Sequence, residues 1–363
     1  MKHPATTDRS PPQAPSRPQR LSPTAIAMAL AGLFLAAGAR AEDATPVLET
    51  VQVTGERTPA YGEFLGTRTE GTGTRYEVGR KGMDSFGAAG SGNPYYAVSA
   101  LPGVKAQTLD PYGMSSRIGG NKGMRVRGIA AWHGANGTVD GLTLSNINPG
   151  PGYLQMFDSE NFAGVSLAQG PISPDQPALF NTAGALDSQL LWPADKAAAT
   201  VSASAGQYNL QRYFARVDSG PFGPGNTRIA VSASDTHGDL WRGPGDSSRE
   251  NYLVALASDL GDLRLKLLAV NSNFSQNNYK PLTAAQAADL GGYRFTGYDA
   301  TPQAGSYQNY YRYNQQAFNN TALIGEAEYR ISATTRASLK LFSFEESGAS
   351  FDANGSNKVR QWY

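Results

Sequence analysis

The chain of 363 residues has no cysteine and no long hydrophobic run. Its apolar stretches fall short of the roughly 18 residues that a transmembrane helix needs, so strands would have to build any membrane crossing. Without cysteine the chain forms no disulfides, which is compatible with both exported and cytosolic proteins. Charge is also sparse, since 17% of the residues are charged, 40% are apolar and the net charge is +1. This balance excludes a disordered tail and a nucleic-acid binder that depends on bulk positive charge.

Residue types that serve in catalysis are scarce as well. The chain has three histidines, and only His133 and His237 lie beyond the N-terminal segment. It contains no H-E-x-x-H motif, no nucleophile elbow and no phosphate-binding glycine loop. The sequence therefore does not favour an enzyme, and it predicts neither a metal site nor a cofactor.

An export signal is indicated at the N-terminus. Basic residues precede an apolar stretch from Ala25 to Ala37, and Ala39-Arg40-Ala41 provides the small residues of a cleavage site. This order of charge, apolar core and cleavage site is typical of a secretory signal. We expect residues 1–41 to be removed near Ala41, with a short buried helix as the alternative.

The next part of the chain divides near residue 90. Residues 42–90 are rich in Gly, Thr, Glu and Arg and are predicted to be flexible, apart from a strand-like patch at 51–53. Asn93 and Pro94 are suited to begin a helix, and Pro102-Gly103 to end it. Short strand-like runs separated by Gly, Asn and Pro clusters complete a predicted α+β domain of residues 91–193; they lie at 104–106, 124–127, 139–144, 164–168 and 187–192.

Residues 194–363 show strict alternation of apolar and polar residues. Leu263, Leu265 and Leu267, for example, alternate with Arg264 and Lys266. One apolar and one charged face is typical of a transmembrane β-barrel with lipid outside and a wet lumen inside. A soluble β-sandwich is the alternative. Seven strands are predicted, near 199–206, 209–218, 227–236, 250–258, 262–271, 320–331 and 334–345.

The predicted connections alternate in length. Those at 220–226, 260–261 and 332–333 are short, whereas 236–249 and 271–319 are long, as expected for the periplasmic and outer ends of a barrel. The first outer turn is a short exception. A loop of about fifty residues is rare in compact soluble domains. Barrels with plugged lumens have about 22 strands, so we expect seven strands to form an incomplete barrel.

Four segments, in order, resemble motifs of the TonB-dependent receptor family. The stretch LETVQVTG at 48–55 is similar to the TonB box, and LPGV at 101–104 is similar to a helix-ending P-G-V. VRGI at 126–129 and VDGL at 139–142 resemble paired R-G and D-G strands of the plug, and QGP at 169–171 resembles an R-G-P. The order of the motifs behind an export signal carries the resemblance, because each motif alone is common.

The resemblance implies a fold class and a function. We expect an α+β plug domain followed by an incomplete antiparallel transmembrane β-barrel, about seven strands of a larger barrel, in the outer membrane. The family takes up scarce ligands, most often ferric siderophores and less often cobalamin or a saccharide. Energy would come from a TonB-type protein that pairs with the box as an added strand. Outer-membrane lipid is a further expected partner, nucleic acid is not, and an exported β-rich surface protein or adhesin is the competing class.

The resemblance also implies residue roles. Gln169 stands where the family usually has arginine, and residues 187–192 replace a more apolar closing strand. These departures predict that one plug-to-barrel charge contact is missing, and they leave open how tightly the plug is seated. The partner-binding residues are Glu49, Thr50, Val51, Gln52 and Val53, and those of the plug motif are Arg127, Gly128, Asp140, Gly141, Gly170 and Pro171.

Ligand contacts are predicted in the outward-facing plug loops 108–123, 130–137 and 145–153. A cationic side chain there suits an anionic chelate and an indole suits an aromatic one, while plain loop structure is the alternative. The candidates are Tyr112, Arg117, Trp132, His133, Asn146 and Tyr153. The long outer loop adds tyrosines suited to recognition or to an interfacial aromatic belt, namely Tyr279, Tyr293, Tyr298, Tyr307, Tyr310, Tyr311 and Tyr313.

Overall fold

A computed structural model describes residues 65–70, 73–87, 89–90, 94–106, 110–114, 124–130, 137–144, 156–169, 182–354 and 358–362. The predicted export signal and the box residues Glu49 to Val53 lie outside these ranges. So do Arg117, Trp132, His133, Asn146, Tyr153, Gly170 and Pro171. The roles assigned to these residues stay predictions.

The plug domain contains two sheets. The strands of the larger sheet are β1 (Leu65–Glu70), β2 (Gly73–Gly79), β6 (Gly137–Val139), β7 (Phe162–Gln169) and β8 (Ala185–Leu190). They lie in the order β1-β2-β7-β8-β6, with β6 parallel to β8 and the other pairs antiparallel. The smaller antiparallel sheet joins β3 (Val104–Ala106), β4 (Met124–Val126) and β5 (Ile129–Ala130).

Two short helical segments belong to the same domain. The α1 helix spans Arg80–Phe86, and a 3-10 helix spans Pro94–Ala100, where the sequence predicts a helix. Val98 and Leu101 on its apolar face are buried, as the spacing predicts. The strands β1 and β2 and the α1 helix lie within residues 42–90, so the predicted flexibility is wrong for this part. The reason is that β2 pairs with β7 and that Val78 and Met83 enter the core.

Residues 197–362 form one antiparallel meander, here called the wall. Each strand pairs with its neighbours in sequence, and the first and last strands form the two edges, so the sheet is open. All seven predicted strands are present, and an eighth short strand follows them. The strands are β9 (Ala197–Gly206), β10 (Leu210–Ser219), β11 (Arg228–Asp239), β12 (Asp246–Leu260), β13 (Leu263–Asn277), β14 (Asn314–Arg330), β15 (Arg336–Asn354) and β16 (Lys358–Trp362).

The connections at the two ends of the wall follow the predicted alternation of lengths only in part: the long loop is present, but β11 and β12 are longer than predicted and leave six residues between them, fewer than the eight at 220–227. Residues 220–227, 261–262 and 331–335 connect strands at one end, here called the short-turn end. At the other, here called the long-loop end, residues 240–245 and 278–313 connect strands, together with the predicted short exception at 207–209. The long loop contains two small helices, α2 (Ala284–Ala288) and α3 (Leu290–Tyr293).

The two faces of the wall have opposite polarity. Leu267 and Leu341 on the outward face are 56% and 64% exposed, whereas Arg212 and Asn251 on the inward face are buried against the plug domain. Burial of charge together with exposure of leucine is the reverse of a soluble sandwich. No helix in the described ranges has both the length and the apolar character to cross a membrane.

Candidate functional site

The R-G and D-G motifs form two tight turns of the plug domain. Arg127 and Gly128 have φ angles of 52° and 82°, and Asp140 and Gly141 have φ angles of 47° and 74°. Glycine adopts this left-handed conformation without the steric cost that other residues meet, so it suits the second position of each turn. The Arg127 amide also donates to the Gly103 carbonyl at 2.7 Å. The structural role assigned to these four residues stays a prediction.

Two carboxylates fix the D-G turn in the plug domain. Asp140 accepts hydrogen bonds from the Leu190 amide at 2.9 Å and from Trp192 Nε1 at 2.7 Å. Asp187 accepts from the Gly141 amide at 2.9 Å and from a threonine hydroxyl of β6. Burial raises the pKa of Asp140 to about 6 and also raises the pKa of Asp187. The polar residues of 187–192 thus bind the turn.

The D-G turn contacts the wall near its short-turn end. Lys340 Nζ donates to the Asp140 carbonyl at 3.0 Å, and Lys266 Nζ lies 5.3 Å from the centroid of the Trp192 ring. Both lysines lie 3.6 Å from Glu326, which sits between them on β14. One carboxylate and two cations of the wall therefore hold this corner of the plug domain.

A buried ionic cluster also joins the plug domain to the wall, farther from the short-turn end than this corner. Asp158 is completely buried and accepts hydrogen bonds from Arg212 Nη2 at 3.0 Å, from Ser234 Oγ at 3.0 Å and from Arg249. Arg212 also pairs with Glu160 at 2.8 Å. Burial alone would raise the pKa of Asp158, but the charges of Arg212 and Arg249 outweigh it and hold this pKa below its usual value.

The residue after this acidic pair extends the network. Asn161 donates to Ser232 Oγ at 2.9 Å and accepts from Arg216 Nη1 at 3.1 Å, while Arg216 is held by Asp218 at 2.9 Å. The arginines lie on the predicted charged faces of their strands, but the sequence pattern gave no sign of their partners at 158–161. Gln169, by contrast, donates to the Pro102 carbonyl at 2.7 Å, within the plug domain.

The inward face of the wall is apolar between the contact at the D-G turn and the ionic cluster. Leu253, Leu268, Val270 and Ile324 are at most 4% exposed and belong to the same buried cluster as Phe157 of the plug domain. This differs from the prediction of a charged inward face throughout. The reason is that the plug domain covers this part of the wall and excludes water from it.

At the long-loop end, one plug segment lies against the wall. Asp110 Oδ1 accepts from the amides of Tyr112 and Met114 at 3.0 and 2.9 Å, which fixes residues 110–114 as a turn. The Tyr112 hydroxyl lies so close to Gly206 at the end of β9 that a Cβ there would be 2.6 Å away. Met114 approaches Gly238 at the end of β11. Of the six predicted ligand contacts, Tyr112 is the one that the structure describes, and it lies at this end.

An aromatic and cationic cluster lies in the loops of the same end. The Arg242 guanidinium is 5.5 Å from the ring centroid of Trp241 and 5.6 Å from that of Tyr279. The Trp241 ring also lies 6.2 Å from the rings of Tyr279 and Phe295. Burial lowers the pKa of Arg242. Burial raises the pKa of Tyr279, and the negative charge of Asp110 in the plug segment raises it further. We call Trp241, Arg242, Tyr279 and Phe295 the loop cluster.

Two glycines hold the loops of this cluster together. A Cβ at Gly297 would lie 2.2 Å from the Cα of Gly243, so the backbones of the 240–245 connection and the long loop touch. Arg242 Nη2 donates to the Lys280 carbonyl at 2.8 Å, and the Lys280 ammonium lies 5.8 Å from the Tyr298 ring. The tyrosine pattern of the long loop identified Tyr279 and Tyr298. It missed Trp241 and Arg242, which lie in a different connection.

Three other tyrosines of the long loop pack on each other. The Tyr310 ring lies 5.2 Å from that of Tyr311 and 5.4 Å from that of Tyr313, in edge-to-face geometry. Asn314 at the start of β14 donates to the carbonyls of Gln308 and Tyr310 at 3.0 Å. This group supports the base of the loop, whereas Tyr293 and Tyr307 are 41% and 40% exposed.

Solved structures of siderophore receptors share this fold. No protein-family model and no curated protein matches the chain. The ferric-catecholate import receptor Fiu from E. coli K12 matches 77% of the chain at 16% identity and a TM-score of 0.56. Pseudomonas aeruginosa FpvA bound to a heterologous pyoverdine matches 83% of the chain at 15% identity and a TM-score of 0.58. The siderophore receptor PiuA from Acinetobacter baumannii matches 76% of the chain at 14% identity and a TM-score of 0.54.

The chain spans 38%, 39% and 37% of the lengths of these three structures, respectively. At this level of identity the likeness shows the fold. The predicted fold class, a plug domain followed by an incomplete antiparallel β-barrel, is confirmed.

Proposed function

We propose that the chain belongs to the TonB-dependent outer-membrane receptors and binds a small iron chelate for uptake. The observation that carries the proposal is the docking of the plug domain on the inward face of a sheet whose outward face is apolar. Lipid covers such an outward face in membrane barrels. The ordered motifs behind an export signal support the same family, and the absence of catalytic motifs supports a receptor that is not an enzyme.

The loop cluster supports an anionic, aromatic ligand. A guanidinium between two aromatic rings pairs with anionic oxygen atoms, and the rings stack on planar groups. Ferric catecholates combine both features, and the similar structure from E. coli is that of a ferric-catecholate import receptor. Tyr112 and Asp110 of the plug segment lie at the same end, so a ligand held there would touch a part of the plug domain.

Energy coupling is proposed to start at Glu49 to Val53. An extended, β-prone segment offers unpaired backbone groups that a TonB-type partner adopts as an added strand. The outer membrane has no nucleotide supply, so a protein partner has to deliver the energy. The predicted export signal places the chain in the same compartment as this partner.

Binding of iron chelates tests the proposal. We expect Trp241→Ala and Arg242→Gln each to weaken binding of a ferric tris-catecholate by about tenfold, which corresponds to about 1.4 kcal/mol. Equilibrium binding of the 55Fe-labelled complex to the purified protein measures this. Arg312→Gln is the control, because Arg312 forms a separate cation–π pair with Tyr311 at 5.6 Å. Unchanged affinity in both cluster variants would refute the assignment of the site.

A further inference from the structure

Cations at the two ends of the wall have different partners. At the short-turn end, Arg228, Arg264 and Arg330 each lie 2.7–3.0 Å from a carboxylate. At the long-loop end cations lie over aromatic rings instead, namely Arg242, Lys280, Arg294 and Arg312. A carboxylate neutralises the charge of its partner, whereas a cation on a ring keeps its charge and its remaining N–H donors for a third group. The second arrangement therefore leaves positive charge that an anionic ligand can use.

Two of these cations flank the loop cluster. The Arg294 guanidinium lies 4.6 Å from the ring centroid of Phe295, a member of the cluster. The Lys280 ammonium lies 5.8 Å from that of Tyr298, and the Lys280 carbonyl accepts from Arg242 at 2.8 Å. Within the described part of the chain, neither Lys280 nor Arg294 pairs with a carboxylate. Each therefore adds one positive charge beside the cluster.

The backbone of the long loop holds one of these cations in place. Asp289 accepts from the Gly292 amide at 3.1 Å and thereby caps α3, which ends directly before Arg294. The contact between Gly243 and Gly297 fixes the loop three residues further on. The Arg294 charge is thus presented from an ordered segment, which lowers the entropic cost of binding an anion there.

We propose that Lys280 and Arg294 determine the charge selectivity of the loop cluster, so that the affinity for a metal chelate of given shape rises with its negative charge. Stacking on the rings of the cluster depends on the shape of a chelate. Attraction to the two cations depends on its charge. The inference rests on the proposed function, because it concerns the same ligand site, and it adds the residues that distinguish chelates by charge.

Two chelates that share a shape and differ in charge test this role. One hexadentate tris-catecholate ligand forms a trianionic complex with Ga(III) and a dianionic complex with Ti(IV), two metal ions of similar size. Calorimetric titration of the purified protein gives the affinity for each complex. We expect the Ga(III) complex to bind more tightly. Lys280→Gln and Arg294→Gln should each lower the ratio of the two affinities by about threefold, because each variant removes one positive charge near the bound complex.

Lys280→Arg and Arg294→Lys keep the charge and should keep the ratio. Arg330→Gln removes the same charge at the far end of the 17-residue strand β14 and should also keep it, since salt screens charges over roughly 10 Å. A constant ratio in both glutamine variants, even with both affinities lowered, would mean that the side chains only support the loop, and it would overturn this inference alone. If neither complex bound the unmodified protein, the loop cluster would be refuted as the ligand site and the inference would fail with it.

Discussion

At the scale of single residues, the plug domain is held by charges that water does not reach. Asp158 is completely buried, and Arg212 and Arg249 are 2% and 7% exposed. Removing one member of a buried ion pair leaves its partner charged and desolvated, which costs more than the intact pair contributes. The cluster therefore holds the plug domain to the wall mainly through one carboxylate, that of Asp158, with Glu160 as a second partner of Arg212.

Replacing that carboxylate should loosen the plug domain. We expect Asp158→Ala to lower the free energy of unfolding by about 3–5 kcal/mol, since the buried Arg249 loses its carboxylate partner and Arg212 keeps Glu160 alone. Asp262→Ala removes the partner of Arg330 in a pair whose side chains are 57% and 53% exposed, and should cost about 0–1 kcal/mol. Urea unfolding followed by near-UV circular dichroism compares the two variants. Equal losses would mean that Asp158 does not hold the plug to the wall.

The carboxyl of the D-G turn should make stability depend on pH. Burial raises the pKa of Asp140 from 3.8 to about 6 in the folded protein, so between these values the folded state binds more protons than the unfolded state. The contribution of Asp140 is then fully present below pH 4 and is lost as the pH rises through 6. The loss amounts to up to about 3 kcal/mol.

Unfolding free energies from pH 4 to 7, for the unmodified protein and for Asp140→Asn, measure this effect. The difference between the two proteins should change across this range, and it includes the effect of the Asp187 charge, which also raises the pKa of Asp140. A constant difference would show that Asp140 titrates near its ordinary value.

At the scale of elements, one strand shows both environments of the wall. On β13, Leu267 points outward and is 56% exposed, while Leu268 points inward and is 4% exposed against the plug domain. Adjacent residues of a strand point to opposite faces, so two leucines of identical size report on the two faces separately.

Truncation of these leucines should have unequal effects. Leu268→Ala should lower the free energy of unfolding by about 2–5 kcal/mol, because it leaves a cavity between the wall and the plug domain. Leu267→Ala removes the same atoms from a surface that detergent covers, and we expect the smaller loss. Thermal unfolding of both variants in one detergent measures the difference. A larger loss for Leu267→Ala would reverse the assignment of the two faces.

The alternation of residues predicted the middle of each wall strand but not its outer end. β14 begins at Asn314 and β15 ends at Asn354, whereas the predicted strands begin at 320 and end at 345. The ladder continues from Thr321↔Glu345 to Asn314↔Asp352. Both faces mix polar and apolar residues here, so the alternation disappears while the backbone pairing does not. The strand β2 escaped prediction because its pairing with β7, far away along the chain, rather than a local pattern stabilises it.

The sequence pointed to the tyrosines of the candidate site but not to the residues that they contact. A loop rich in tyrosine is visible in sequence, whereas the contact of Trp241 and Arg242 with Tyr279 depends on how two loops cross at Gly243 and Gly297. The same holds for Asp158, whose partners lie 54 and 91 residues away along the chain. Alternation shows which face a charge occupies and not which group it meets.

At the scale of the whole molecule, the plug domain is anchored unevenly. Its contacts with the ionic cluster and with the lysines of the wall come from Asp140, Asp158, Glu160, Asn161 and Trp192, all in the second half of the domain. The strand β1 is the first that the structure describes after the proposed coupling segment, and it lies at the edge of the plug sheet and forms its ladder with β2. An edge strand is hydrogen-bonded to one neighbouring strand only. A pull from the N-terminal side would therefore act on β1 first.

This geometry and the proposed coupling role of residues 49–53 lead to a prediction about uptake. Val51→Pro removes a backbone donor and prevents regular strand pairing, so it should abolish uptake of the ferric chelate. Val51→Ala keeps the donor and should have a smaller effect. Binding should stay nearly unchanged in both variants, because residues 49–53 are not among the proposed ligand-binding residues. Binding of the 55Fe-labelled chelate to whole cells at low temperature, compared with uptake after warming, separates the two steps. If Val51→Pro lost binding together with uptake, the segment would support the fold or the ligand site, and its coupling role would have to be abandoned.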